Sequence, residues 1–199
     1  MSYPKFYNDI ETIKVTDPLS NVLGAFENGE YEISYFEVVK SAGHSCPTVA
    51  GAYLLAQEAF KVLYPNQRAI RGEVKVEFQE SLTDGVAGVV ANVITQITGA
   101  TDKSGFKGIG GNFARHSLMS FDSNINSSAR FTRVDDGKSV DVIYDPSSIP
   151  PQPKQQELMQ KMMQGLASKE DIKEFGELWQ DRVKRIFENS KDVIKVVEL

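Results

Sequence analysis

After Pro47, the residues Val49, Ala50, Tyr53, Leu54, Ala56, Phe60 and Leu63 cover much of a helical surface, and Gly51, Ala52 and Ala59 add small side chains. A helix that is apolar or small nearly all round is a buried one with close backbone neighbours. Tyr64-Pro65-Asn66 ends it. Residues 71–80 then alternate, with Val74, Val76 and Phe78 on one side and Glu73, Lys75, Glu77 and Gln79 on the other, which predicts a half-buried strand. Val86, Val89, Val90, Val93, Ile94 and Ile97 recur at helical spacing, with Asp84 as the expected N-cap and Gly99 as the residue just past the end. The β-branched residues lower its intrinsic propensity, so packing must hold that helix.

Three strand-like runs follow a glycine-rich stretch, at 116–121, 128–134 and 139–144, and Asp135-Asp136-Gly137-Lys138 joins the last two as a hairpin. Upstream, Asp17-Pro18 reads as an N-cap and first helical residue of a short helix reaching Glu27. Residues 31–40 fit two periods: Tyr31, Ile33 and Tyr35 alternate, whereas Ile33, Phe36 and Val39 share a helical face. Helices interleaved with strands and then a run of antiparallel strands make an α+β fold with a largely antiparallel sheet.

Four prolines between Pro146 and Pro153 mark the sharpest boundary, because proline lacks the N–H and fixes φ. This divides the chain into an α+β core, 1–145, and a proline-rich connector with an amphipathic helical tail, 146–199. In the tail Leu158, Met162 and Leu166 form one stripe. A second helix opens on Ser168 and Asp171 as a capping box and carries Ile172, Phe175, Trp179, Val183 and Ile186. The run Val193 to Val197 has the composition of a terminal strand. The apolar faces of the tail must cover either the core or another subunit.

Charge narrows the partners. There are 22 basic and 27 acidic residues, a net charge of −5, and nine of each sign lie from Pro151 onward, so the excess belongs to the first 150 residues. A nucleic-acid binder would show the opposite surplus. No apolar run approaches the roughly 20 residues that span a bilayer, and the polar start does not read as an apolar signal core, so the expectation is a cytoplasmic protein without a membrane partner. A single cysteine excludes an internal disulfide and any four-cysteine zinc cluster from one chain.

That cysteine is nonetheless the most informative residue. The chain has two histidines, and one of them, His44, stands two positions from Cys46 in Gly43-His44-Ser45-Cys46-Pro47-Thr48. With Pro47 in the first turn of the buried helix, Cys46 falls at the N-cap, where unsatisfied N–H groups and the helix dipole favour a thiolate. A thiolate serves metal ligation and nucleophilic attack alike, and the imidazole serves as second ligand or base. The competing reading is a small buried hydrophobe beside a turn-capping histidine. His116 is a third candidate ligand, and Asp84 and Glu80 are candidate oxygen ligands. The glycine-rich stretch 104–113 lacks phosphate-loop and dinucleotide spacing and reads at most as a ligand wall.

The order of Gly43-His44-Ser45-Cys46-Pro47, a small-residue helix with Gly51, a strand, and a helix ending Ile97-Thr98-Gly99-Ala100 before a glycine-rich stretch resembles the FmdE-like family, named for the FmdE subunit of formylmethanofuran dehydrogenase, over about residues 30–145. The resemblance implies an FwdE/GAPDH-domain-like α+β fold, a homodimer, and a divalent transition-metal site, usually zinc, carried here by His44 and Cys46. Ala100 stands where members often have a second cysteine, Asn92-Val93 where they often have Asp-Ala, and the C-terminal Cys-x-x-Cys extension is absent. The expectation is an FmdE-like metal-binding protein with His44, Cys46 and His116 as ligands and a small-molecule ligand. The alternatives are a metal-free thiol enzyme with Cys46 as nucleophile, and a non-catalytic accessory subunit docking through its helical tail.

Overall fold

The computed structural model describes residues 2–199. A short 3-10 turn, Lys5–Asp9, precedes β1 (Ile13–Thr16), α1 (Pro18–Val22), a second 3-10 turn (Glu27–Gly29) and β2 (Glu30–Ile33). There follow α2 (Tyr35–Ala42), α3 (Pro47–Leu63), β3 (Ala69–Ile70), β4 (Val74–Glu77) and α4 (Ala87–Thr98). The second half holds β5 (Met119–Ser120), β6 (Ala129–Arg133), β7 (Ser139–Tyr144), α5 (Pro153–Met163), α6 (Lys169–Glu188), α7 (Ser190–Val193) and β8 (Ile194–Glu198).

Two sheets result. A three-stranded sheet runs β2-β1-β3 and a five-stranded sheet runs β5-β4-β6-β7-β8. Three of the four pairings in the larger sheet are antiparallel, and only β4 with β5 is parallel, so the fold is α+β with a largely antiparallel sheet.

Helix α3 is the organising element. Twelve of its seventeen residues are buried, and α2, α4, α6 and β7 all pack around it. The small residues Ala50, Gly51, Ala52, Ala56 and Ala59 let those neighbours approach closely. An aromatic group ties three helices together: Tyr35 of α2 lies edge-on to Tyr53 of α3 at 5.5 Å and to Phe187 of α6 at 4.7 Å.

The C-terminal segment is part of this core. Val183, Ile186 and Val193 are buried with it, and β8 pairs along β7, Val140 with Glu198 through Tyr144 with Ile194. Of the tail's apolar stripes, Leu158, Val183 and Ile186 are buried within the chain, whereas Met162, Leu166 and Ile172 remain exposed.

Several local expectations change. Residues 31–40 use both periods in succession, because Ser34 caps α2 in a reciprocal box with Glu37 and so divides strand from helix. The first helix stops at Val22, short of Glu27. Asp84 does not cap α4. Its carbonyl takes the Ala87 N–H in a preceding turn, and Val86 occupies the N-cap without a side-chain bond. The run 116–121 shrinks to two residues because Ser117 has φ 59, which interrupts extension before Met119. The hairpin at 135–138 and the Ser168/Asp171 capping box are as expected.

Candidate functional site

Gly43 at φ 77 ends α2 in the left-handed conformation, its N–H returning to the Val39 carbonyl. His44 and Ser45 cross the gap, and Cys46, extended at φ −149, is the N-cap of α3 with Pro47 at the first helical position. Two motifs of helix termination and initiation therefore place an imidazole and a sulfur two residues apart. The Val49 N–H donates to Cys46 Sγ at 3.4 Å, the role a serine or aspartate oxygen usually fills. His44 is exposed and Cys46 half-buried. The Nδ1 of His44 lies 3.1 Å from the Ala42 carbonyl. A carbonyl only accepts, so Nδ1 carries the proton and Nε2 keeps a free lone pair in the neutral ring.

The rest of the chain grips this loop on both sides of the sulfur. Trp179 Nε1 and Gln180 Nε2, both on α6, donate to the Ser45 carbonyl at 3.0 and 3.1 Å. The Ser45 and Tyr35 hydroxyls share a hydrogen bond of 2.8 Å, and the Tyr144 hydroxyl donates to the Pro47 carbonyl at 2.8 Å. Burial pushes both phenols well above their ordinary range, and the nearby Cys46 pushes them the same way. They therefore act as neutral donors or acceptors and not as bases.

These holding residues carry little signal in sequence. Tyr144 ends a strand like many others. Trp179, the one tryptophan, is legible as an important apolar position, but the partner of its indole N–H is not.

The other candidates lie elsewhere. His116 belongs to the 101–118 loop, and its Nδ1 is 3.0 Å from the Ser117 hydroxyl. Glu80 and Asp84 are exposed. Glu80 lines a cleft of about 320 Å³ that has Tyr144 as another wall. The glycine-rich stretch folds on itself, the Phe106 carbonyl accepting from the N–H groups of Arg115 and His116. Among the described residues no three His, Cys, Asp or Glu side chains form a group that could hold a metal. Among the described residues, His116, Glu80 and Asp84 are not grouped with His44 and Cys46.

No described helix is long and apolar enough to cross a membrane. No curated protein matches the chain. The crystal structure of a protein from Syntrophus aciditrophicus, described as like the FmdE subunit of tungsten formylmethanofuran dehydrogenase, is similar at a TM-score of 0.46 and 14% identity, over 83% of this chain and 72% of that one. The family model for FmdE, molybdenum formylmethanofuran dehydrogenase operon, matches residues 42–195. That match starts just before the His44–Cys46 loop and runs beyond the 30–145 of the sequence resemblance, through α5 and α6 into β8. With some three quarters of its length inside the match, the chain belongs to the FmdE family.

Proposed function

We propose that the chain is a metal-binding FmdE-family protein in which His44 Nε2 and Cys46 Sγ are its ligands to a divalent cation of the zinc type. The observation that carries this is the His44 Nδ1 contact to the Ala42 carbonyl, an outer hydrogen bond of the kind that orients a ligating imidazole and leaves Nε2 for the metal. The N-terminus of a seventeen-residue helix with an N–H directed at sulfur suits a negatively charged thiolate ligand.

One imidazole nitrogen and one sulfur are donors that zinc takes, but a closed structural site needs four. The pair fits an open centre whose remaining positions fall to water, a small-molecule ligand or a second copy in a homodimer. When bound there, such a cation would polarise a carbonyl or acidify a water. The chain's own part is positional: Trp179, Gln180 and Tyr144 hold the Ser45 and Pro47 carbonyls on either side of Cys46, and the Ala42 carbonyl holds the His44 ring. A reducing cytoplasm would keep the single thiol available.

The test is metal content per chain in wild type, His44→Ala, Cys46→Ala and His116→Ala, each checked for a normal melting profile. Bound zinc in the wild type, lost in the first two variants and kept in the third, is the expected result. Equal metal in wild type and Cys46→Ala would overturn the proposal. So would Cys46 alkylation that is fast with or without chelator, the behaviour of a metal-free nucleophile.

A further inference from the structure

Helices α5 and α6 form a hairpin, and between them lies a cleft of about 380 Å³ whose walls include Gln155, Met159, Phe175, Trp179 and Arg182. Clefts of this size accommodate small organic molecules. Its lining is apolar and amide-rich, contains no carboxylate, and offers one cation.

Several other basic groups of the hairpin are paired, Arg185 with Asp181 at 2.9 Å and Lys161 with Asp171 at 3.1 Å. Arg182 has no carboxylate within ion-pairing distance among the described residues. Its Nε donates to the Ile149 carbonyl at 2.8 Å, which anchors the guanidinium without neutralising it. Burial draws its pKa below the ordinary arginine value, partly offset by Tyr144, so the charge sits in a less watery setting than a surface arginine.

A second feature belongs to the same cleft: Phe175 and Trp179 form its aromatic wall, with ring centroids 5.5 Å apart.

We propose that this cleft binds a small aromatic carboxylate. The carboxylate meets Arg182, and the ring lies against Phe175 and Trp179. One guanidinium balances one negative charge, and a phosphate dianion would want a second cation. None of these residues is a ligand of the proposed metal centre, so cleft and centre stand or fall separately. They touch at Trp179, whose ring walls the cleft and whose N–H holds the Ser45 carbonyl.

Trp179 is the only tryptophan, so its emission reports on the cleft directly. The full chain would be titrated with para-hydroxybenzoate, with the neutral para-hydroxybenzamide, and with N-acetylphenylalanine as a second ring-bearing carboxylate, with calorimetry as a second readout. Saturable binding of para-hydroxybenzoate is expected, about tenfold or more weaker for the amide and for Arg182→Gln, and partly retained in Arg182→Lys. Equal affinity for acid and amide on the wild type, or no saturable change, overturns the proposal without recourse to any variant. Saturable binding of N-acetylphenylalanine that is lost in Arg182→Gln supports the proposal, since it too joins a ring to a carboxylate.

Discussion

Asp17 and Arg115 lie 98 positions apart in sequence and meet in a buried ion pair, with Arg115 Nη2 donating to Asp17 Oδ1 at 2.6 Å. The second oxygen of the same carboxylate accepts from Arg71 Nη1 at 2.9 Å, so one anion serves two guanidiniums. Asp17 also caps α1 through the Ser20 N–H. Arg115 threads past Gly72 and Gly99, where an added Cβ would overlap its guanidinium and where φ is 85 and 76. The carbonyl of Arg115 in turn accepts from Thr101, and its N–H donates to Phe106. The start of α1, the end of α4 and the 101–118 loop are thereby fastened at one point.

Replacing Asp17 with Asn should destabilise the fold by about 3–5 kcal/mol, because it strands a buried cation. The expectation rests on burial: the side chains of Asp17 and Arg115 are 5% and 8% exposed. The exposed Lys173–Glu177 pair on α6, 80% and 67% exposed, should by contrast be removable without measurable effect. Urea unfolding of the two variants decides the point. An Asp17→Asn midpoint equal to wild type would mean that the pair is not formed in solution.

The same carboxylate sets an acid limit. Burial alone would raise its pKa, but the hydrogen bonds from Arg71 and Ser20 and the charges of Arg115 and Arg71 outweigh burial and hold it below the ordinary value. A carboxyl whose folded pKa is below its unfolded value, about 3.9, contributes fully above that value and loses its contribution as pH falls through the folded one. Asp141, lowered by its hydrogen bond to Arg130, acts in the same direction. Stability measured against pH should therefore be flat near neutrality with respect to these groups and fall below about pH 4. The fall should be shallower in Asp17→Asn.

What can be read in the sequence divides by distance along the chain. The buried helix after Pro47 is legible because its small and apolar residues surround every face, and Cys46 as its N-cap follows from Pro47 alone. The hairpin at 135–138 and the capping box at Ser168 are likewise local signals. Asp17 is legible as a cap, but not as the partner of Arg115, since nothing in a linear pattern pairs two charges 98 residues apart. The run from Val193 to Val197 reads as a strand without a partner, and β7 as its neighbour becomes visible only in three dimensions. At the candidate site, sequence proposes the donors themselves. It does not reveal the Ala42 carbonyl that fixes the His44 ring, or the hydrogen bonds from Trp179 and Gln180 to Ser45.

Gly51 offers a way to disturb the site without touching it. A Cβ there would overlap the Tyr144 ring, whose hydroxyl holds the Pro47 carbonyl beside Cys46. Alanine gains about 1 kcal/mol in helix propensity, but overpacking costs roughly 1–3 kcal/mol, so Gly51→Ala should be a net destabiliser. Iodoacetamide should alkylate Cys46 faster in that variant, because the displaced ring no longer braces the loop. Tyr144→Phe keeps the ring and loses only the donor, for a smaller loss of about 1 kcal/mol. Unchanged alkylation in Gly51→Ala would show that the loop does not depend on Tyr144.

Deleting residues 151–199 distinguishes an appendage from a structural half of the fold. The deletion removes Val183, Ile186 and Val193 from the core, each worth about 1.5–3 kcal/mol of burial. Their sum is comparable to the whole stability of a typical domain, roughly 5–15 kcal/mol. It also uncovers Tyr35 and Tyr53 by taking away Phe187. Without β8, strand β7 becomes a bare sheet edge, with Val140 and Val142 behind it. An unprotected edge of that kind invites pairing between molecules. The 1–150 fragment should consequently show no cooperative thermal transition by circular dichroism and should elute as aggregate. A monomeric fragment with a sharp melt near that of the full chain would mean that the α3–α6 contact and the β7–β8 ladder contribute little.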